Sequence, residues 1–516
     1  MDYPETTFIK DYDPGPEATV ELKNGRFVNV IKGDYFDAGV SLLIQGSKIQ
    51  AMPGSAGHAG GIKPDFTIDC RGKTVLPGLF NTHCHITITS PTTMPDLKDV
   101  KLFKAYGDQQ MEKNMAECLI HGITTIRDAY AENLGRTRLL RERISKGEIP
   151  GPRFLQSVVV GPPGSYLLEK VGMVSRWMRS ALGLVTVSHE LDYSGGVEFP
   201  VEASEQQVRD AVNRAIDERG AEVIKIGEQK ENMTDYKPTS TIMTQQQLGA
   251  VADQARKRGL KSTIHQVSVA SFRRAVEAGI SSLAHLPRDG VLNRQDVEAF
   301  VSRGCFQDPT LSVPYDISYK IKGEPSFDDP DMELLTAFRD RVHSTLVDEY
   351  WIPEFQPGAQ KHYDKANKEK MKVFGLLPMT TMFKYYAPAA SNGAKNLRLL
   401  FENGAVITTS NDGGIPPCTP AMMQHEIDLF DLFLNKASGE NIFTGADAVK
   451  MATINSALCL GLEKDLGSLD IGKTADLAMV DGDPFTDPHV VGSRVAALFL
   501  DGRLVINNCG LEMIKT

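Results

Sequence analysis

From Ala116 onward the hydrophobic and polar positions of this chain repeat one rhythm: an amphipathic helix, a glycine, a short apolar strand and a polar loop. Such a rhythm builds parallel α/β structure. One helix begins at Ser204 with Gln207 three residues on, a capping-box pattern, and places Val208, Ala211, Val212, Ala215 and Ile216 on one stripe. Gly220 closes it, and the apolar run Ala221 to Ile226 follows. The next unit repeats the device, with Thr244 and Gln247 opening a helix that carries Leu248, Val251, Ala252 and Ala255, and Gly259 leading into a strand around Ser262 to His265. Gly279, Gly304 and Gly404 introduce three more strands. Counted from an apolar run that ends in His83-Cys84-His85, strands are expected near 76–85, 123–128, 153–160, 222–226, 261–265, 281–285, 305–310 and 405–411. Eight strands with helical crossovers make a (β/α)8 TIM barrel, whose catalytic groups sit at the carboxyl ends of the strands.

The flanks are patterned differently. Residues 17–73 carry hairpin signals at Asn24-Gly25 and Gly46-Ser47, and the C-terminal stretch has Asp501-Gly502 between Ala497-Leu498-Phe499-Leu500 and Leu504-Val505-Ile506. Neither flank alone has strands enough to close a core, so a small β-sandwich built from both termini is expected. The organisation is therefore sandwich at 1–73, barrel at 74–462 and sandwich again at 463–516. Two insertions interrupt the barrel rhythm. Residues 161–204 include the stripe Leu167, Val171, Val174, Met178 and Ala181 beside Trp177, either a helix packed on the protein or, with Arg176 and Arg179, one lying on a membrane surface. Residues 312–390 are mostly helical in pattern and rich in aromatics, among them Tyr315, Tyr319, Trp351, Phe355, Phe374, Phe383, Tyr385 and Tyr386. Loops at that face of a barrel shape substrate access, although plain packing accounts equally for most of these rings.

Composition narrows the class. No stretch of the 516 residues approaches the roughly 20 uninterrupted apolar residues of a membrane span. The start, Met1-Asp2-Tyr3-Pro4-Glu5, lacks a signal peptide's basic and apolar regions, so a cytoplasmic location is expected. The seven cysteines are scattered and form no Cys-x-x-Cys pair, which suggests neither a disulfide framework nor a zinc knuckle. A net charge of −10 with no concentrated basic face disfavours nucleic acid as a partner and leaves a small-molecule substrate.

The chemistry gathers at strand ends. In a strand alternate side chains share a face, so His83 and His85 can present two imidazoles to one metal ion. Lys225, in Glu222-Val223-Ile224-Lys225-Ile226, is a charged amine among aliphatics, costly to bury unpaired. A buried lysine of depressed pKa can react with carbon dioxide to give a carbamate able to bridge two cations; alone, such a lysine more often reaches solvent or a carboxylate. His265 and His285 end consecutive strands, and either could be a satisfied core histidine in isolation. Asp412 lies in Asn411-Asp412-Gly413-Gly414, good turn sequence, yet also well placed as metal ligand and proton acceptor. Arg288, Tyr130 and Tyr166 are candidates for binding substrate, unless Arg288 pairs with Asp289 or another acid.

On these residues the chain resembles the amidohydrolase superfamily over nearly its whole length. Pro77-Gly78-Leu79-Phe80-Asn81-Thr82-His83-Cys84-His85 is similar to the family's opening motif, and Gly467-Ser468-Leu469-Asp470-Ile471-Gly472-Lys473-Thr474-Ala475-Asp476-Leu477-Ala478 to its return to the composite sandwich. The resemblance implies a binuclear site, commonly zinc, with ligands His83, His85, Lys225 (carboxylated by CO2), His265, His285 and Asp412. It further implies hydrolysis of an amide-type C–N bond by a metal-bridging hydroxide, with Asp412 as general base and then general acid. Gly151-Pro152-Arg153, Ala221-Glu222-Val223-Ile224-Lys225 and Met451-Ala452-Thr453-Ile454-Asn455-Ser456-Ala457 look most like the imidazolonepropionase-related group with metal-dependent prolidase, Xaa-Arg carboxypeptidase and ochratoxinase. Departures occur in substrate-facing loops: Gly161-Pro162-Pro163-Gly164-Ser165-Tyr166 stands where relatives often have Gly-Gly-His, and Gln266-Val267 follows the strand-five histidine. The expected substrate is accordingly a peptide, an N-acyl amino acid or an aryl amide, bulky and partly hydrophobic, and the expected assembly a homo-oligomer. The rivals are an esterase or lactonase on the same centre, a mononuclear deaminase, and a silent scaffold. The deaminase would have no use for Lys225 and would usually need a glutamate soon after His265, absent from Gln266 to Arg274.

Overall fold

The computed structural model describes residues 6–55, 63–89, 97–131, 133–168, 193–231, 238–312, 346–360, 372–373, 377–378, 380–414, 418–436 and 439–516. At its centre is a curled parallel sheet whose main path has eight strands in sequential order: β1 (Leu79–Cys84), β2 (Ile123–Asp128), β3 (Arg153–Gly161), β4 (Val223–Glu228), β5 (Lys261–Gln266), β6 (Ser282–Ala284), β7 (Phe306–Asp308) and β8 (Val406–Ile407), with the short strand Gly196–Glu198 pairing to the end of β3 off that path. Each lies where the apolar runs predict it, within a few residues. Beyond β8 the chain continues alongside β1: Thr82 N donates to Thr409 O at 3.0 Å, Asp412 N to His83 O at 2.9 Å and His85 N to Gly413 O at 2.6 Å.

The crossover helices are set by local chemistry. Ser204 caps the helix Glu205–Asp217 and Thr244 the helix Gln245–Lys257, each in a full capping box with Gln207 or Gln247. The same device recurs at Ser268, Asn293 and Thr444. Val208, Ala211, Val212 and Ala215 are fully buried, the stripe expected of a helix packed on a sheet. Gly279, at φ 75°, ends the helix Val269–Ala278 in the left-handed cap that lets β6 begin at once.

Two further sheets flank this body. One has five strands in the order Met513–Lys515, Phe66–Asp69, Thr19–Lys23, Leu42–Gln45 and Lys48–Ala51. The other has six: Arg503–Asn507, Ala497–Leu500, Leu477–Val480, Thr74–Pro77, Arg26–Asn29 and Asp34–Tyr35. Leu22, Ile44 and Ile68 from the first share one buried cluster with Phe27, Val75, Leu477 and Phe499 from the second. Gly46-Ser47 and Asp501-Gly502 are hairpin turns as expected. Asn24-Gly25 is not. Asn24 adopts the left-handed conformation (φ 63°), but the strands it joins pair with different neighbours in different sheets. The turn switches sheets because each strand buries its apolar face on its own sheet's partners.

The strand Thr74–Pro77 runs through Gly78 directly into β1. A Cβ on Gly78 would lie 2.2 Å from the Thr124 hydroxyl, so only glycine lets the flanking sheet deliver the histidine pair against β2. Of the insertions, the stripe expected from Leu167 to Ala181 lies outside the described residues beyond Leu168, as do Tyr315, Tyr319 and Phe374. Trp351 and Phe355 are fully buried packing residues.

A candidate metal centre at the strand ends

β1 is buried along its length, and the alternation of the strand turns His83 and His85 to the same side. Their Nε2 atoms lie 3.3 and 3.1 Å from one oxygen of Asp412, and the three ligand atoms fall within 4.8 Å of one another. Asp412 is brought there by the backbone bonds along β1, and it sits in the left-handed region at φ 53°. The glycines after it serve approach rather than a simple turn. A Cβ on Gly414 would meet His85 O at 2.2 Å, and one on Gly413 would meet the Thr419 backbone at 2.4 Å.

The other expected ligands gather around this trio. The ring of His285 is 5.2 Å from that of His83 and 4.4 Å from that of His265, centroid to centroid. His285 also has a left-handed backbone (φ 66°), as does its neighbour Thr310 (φ 51°). Three non-glycine residues in that region at one site mark backbone strain held by the surrounding structure, a feature that concentrates where geometry serves function. Lys225 is 1% exposed and makes no ion pair among the described residues. Burial, aided by the charge of Arg127 and opposed by Asp412 and Asp308, pulls its amine down to about 7.

Electrostatics prepare the group for a cation. Burial holds His83, His265 and His285 well below the ordinary imidazole value, so they are neutral near pH 7. Burial acts to raise the Asp412 carboxyl, but the approach of His83 and His85 outweighs it and keeps the group well below its ordinary value, hence ionised. Nδ1 of His85 lies 3.3 Å from Tyr130 O, and a carbonyl can only accept, so the proton of a neutral His85 ring is on Nδ1. Its Nε2 then faces the Asp412 carboxylate oxygen at 3.1 Å. Two acceptors in contact need a cation, or a proton, between them. Neutral imidazoles and a carboxylate are the donor set that suits zinc and similar divalent ions, so the residues present fit a metal.

The three expected substrate contacts differ in position. Tyr166 stacks on His265, rings 4.2 Å apart and inclined by 23°, and remains half-exposed. Tyr130 is buried, holding His85 through its carbonyl and donating its hydroxyl to Leu167 O at 3.3 Å, so it supports the 161–168 loop from beneath. Arg288 is 7% exposed and its charge bears on both His265 and His285. Asp289 accepts from Val269 N at 2.8 Å at a helix start. Gly227, on β4, permits the Tyr166 stack, since a Cβ there would lie 2.1 Å from Tyr166 O. Gly227→Ala should therefore displace the loop, with a stability loss of about 1–3 kcal/mol measured by urea unfolding; an unshifted midpoint would show the loop yields freely.

Sequence reading did not single out Gln229, Thr310, Arg127 or Asp308. The Gln229 amide oxygen is 2.7 Å from His265 Nε2, and the Thr310 hydroxyl 2.6 Å from His285 Nδ1. Arg127 and Asp308 form a fully buried ion pair at 2.6 Å on the strands beneath. Only Arg127 left a signal, a charge inside the apolar run Ile123–Asp128 of the same kind as Lys225.

Curated relatives include a 5-methylthioadenosine/S-adenosylhomocysteine deaminase of Teredinibacter turnerae, 28% identical over 179 residues (30% of this chain, 40% of that protein). An imidazolonepropionase of Shouchella clausii is 28% identical over 143 residues, 27% of this chain and 29% of that protein. The chain thus matches less than half the length of these relatives. Among solved structures, ochratoxinase of A. niger is similar in fold with a TM-score of 0.63 at 17% identity, covering 95% of this chain and 96% of that one. A Xaa-Pro dipeptidase solved with methionine in its active site gives 0.60 at 18% identity, covering 94% and 99%. The amidohydrolase family model matches residues 74–505, the span that contains all eight central strands and every expected ligand, and the chain belongs to the amidohydrolase family.

Proposed function

We propose that the protein is a metal-dependent hydrolase that cleaves an amide-type C–N bond in a peptide, an N-acyl amino acid or an aryl amide. The observation that carries this reading is the convergence of His83, His85 and Asp412 on one point, with the rings of His285 and His265 beside them and the charge of Lys225, inside β4, bearing on the histidines. The backbone bonds between β1 and residues 409–413 support closure of the sheet into a (β/α)8 barrel spanning 74–462, with 1–73 and 463–516 forming one sandwich. His83, His85, Lys225 as its carbamate, His265, His285 and Asp412 would hold two divalent ions, most simply Zn2+. Such ions, when bound, lower the pKa of a coordinated water and polarise the scissile carbonyl.

The chain's own residues supply the rest. Asp412, ionised and buried, accepts the proton of the attacking water and returns it to the leaving nitrogen. His83 and His85 orient that carboxylate from one side. Arg288 offers a cation for a substrate carboxylate, and Tyr166 an aromatic wall beside His265, which suits a bulky, partly apolar substrate. The low amine of Lys225 leaves an appreciable uncharged fraction near neutrality, the form that attacks carbon dioxide. Native mass spectrometry should accordingly find one CO2 added to the polypeptide, lost in Lys225→Met; an unmodified mass at full metal loading would remove the carbamate from the scheme.

A deaminase remains the second reading because a curated relative carries that name. The decisive experiment is turnover of N-acyl amino acids, dipeptides, aryl amides, lactones and adenosine derivatives before and after metal removal. Metal-dependent release of an amine from an amide is the expected result. Ammonia from the adenosine derivatives alone, or cleavage of lactones alone, would replace the reading with the corresponding rival.

A further inference from the structure

We infer that Gln266 and Gln307 are positioning residues that clamp the backbone carbonyl of His285 from both sides and so aim its side chain into the candidate metal centre. The purpose of the clamp rests on the metal-centre reading above; its evidence is the hydrogen bonding of one strained peptide.

β6 is three residues long, and His285 follows its last residue. There the backbone turns left-handed, at φ 66°, a conformation that the Cβ of an L-residue resists and that persists only where the surroundings impose it. Both backbone polar groups of His285 are held. Its N–H donates to Asp308 O on β7 at 2.8 Å. Its carbonyl accepts from two side-chain amides: Nε2 of Gln266, at the end of β5, at 2.9 Å, and Nε2 of Gln307, in the middle of β7, at 2.6 Å. The strands on either side of β6 therefore each send an amide to the same oxygen. A backbone carbonyl accepts only, so both amides must face it with nitrogen, and Gln307 is fixed a second time by donating to Leu283 O at 2.8 Å. A peptide held in this way sets the direction of the Cα–Cβ bond. With it goes the imidazole, whose centroid lies 5.2 Å from that of His83 and 4.4 Å from that of His265.

The two glutamines are wholly buried, and each leaves its own amide oxygen without a hydrogen-bond partner among the described residues. A buried oxygen with no donor is a cost that an apolar side chain of the same length would not carry. Core stability alone would therefore favour methionine at both positions, and what glutamine adds is the pair of donors. Gln266 is also one of the departures expected to face substrate; its side chain engages instead the carbonyl at the end of the next strand. Partners that orient a metal ligand from outside typically matter by about 10–100-fold in metal affinity.

The test reads this carbonyl directly. His285-Leu286 is the one His-Leu step in the chain, so metal-free full-length protein labelled with 13C at the histidine carbonyl and 15N at leucine gives a single carbonyl–amide cross-peak, from that peptide. Gln266→Met and Gln307→Met keep the side-chain length and each remove a donor. Each should move the carbonyl resonance upfield, and the double variant further. Titrated with Zn2+ against a chromophoric chelator, the double variant should bind one ion about 10–100-fold more weakly, and each single variant less so because one amide still holds the oxygen. The melting temperature should stay close to that of the parent, since the orphan oxygens leave with the donors. A falling melting temperature with parent-like Zn2+ affinity would make the glutamines core polar residues only and overturn the inference. A carbonyl resonance indifferent to both substitutions would overturn it as well. If the double variant does not fold, Gln266→Met alone, which breaks a single bond, still supplies both readouts. Should the parent bind no divalent ion, the metal reading fails instead, and the resonance by itself decides whether the clamp exists.

Discussion

Asp412→Asn is expected to lower kcat by about 10²–10⁴-fold, the usual worth of a positioned proton acceptor, while metal content stays close to that of the parent. The substitution is unusually clean here. Asn tolerates the left-handed backbone that residue 412 adopts at φ 53° better than other neutral residues do. The bond from its amide to His83 O, at 2.9 Å, does not involve the side chain and should survive. What the variant lacks is the negative charge and the capacity to take up a proton. Its carbonyl oxygen can still face His83 and His85. Steady-state kinetics together with metal analysis would separate the two roles: full activity would remove Asp412 from the proton path, and loss of all metal would make it chiefly a ligand.

Much of this arrangement is legible in the amino-acid sequence, because it is written in local signals. A histidine pair at spacing two on an apolar run needs only strand alternation to put both rings on one side. Capping boxes at Ser204 and Thr244 declare helix starts through side chains three residues apart. Lys225 announces itself as a charge where the pattern demands an aliphatic residue. Illegible features depend on partners distant in sequence. Asn24-Gly25 has the turn chemistry of a hairpin, yet the pairing of its flanking strands is decided by residues such as Thr74 and Phe66 on other segments. Gln229 and Thr310 look like ordinary loop residues, and their importance arises only when β5 and β6 bring His265 and His285 beside them. Gly413-Gly414 looks like a turn; the close approach of His85 is visible only in three dimensions.

Asp308→Ala should be the most destabilising single change in the body of the protein, by about 3–5 kcal/mol, because it strands a buried guanidinium. Arg127 and Asp308 have fully buried side chains and join at 2.6 Å. The other Asp308 oxygen accepts from Thr82 and Thr408 at 2.8 and 2.7 Å, while Arg127 also donates to Ser282 at 3.1 Å. One ion pair thus links β1, β2, β6 and β7 with the segment after β8, directly under the strand ends that carry the candidate ligands. Removing Asp308 leaves Arg127 charged, since a guanidinium does not readily lose its proton, while the Thr82 and Thr408 hydroxyls keep acceptors at Thr409 O and Gln307 O, 3.0 and 3.3 Å away. The cost therefore lies in desolvation without compensation rather than in the attraction of the pair. That distinction is measurable. Replacing both partners, Arg127→Met with Asp308→Leu, removes the stranded charge and should cost less than Asp308→Ala alone, a non-additivity expected of residues in contact. Urea midpoints at constant slope would show it. If the double variant is instead as unstable as the sum of its parts, the pair contributes through its own attraction and the hydroxyl network, and the β1–β7 connection is held by that network as a whole.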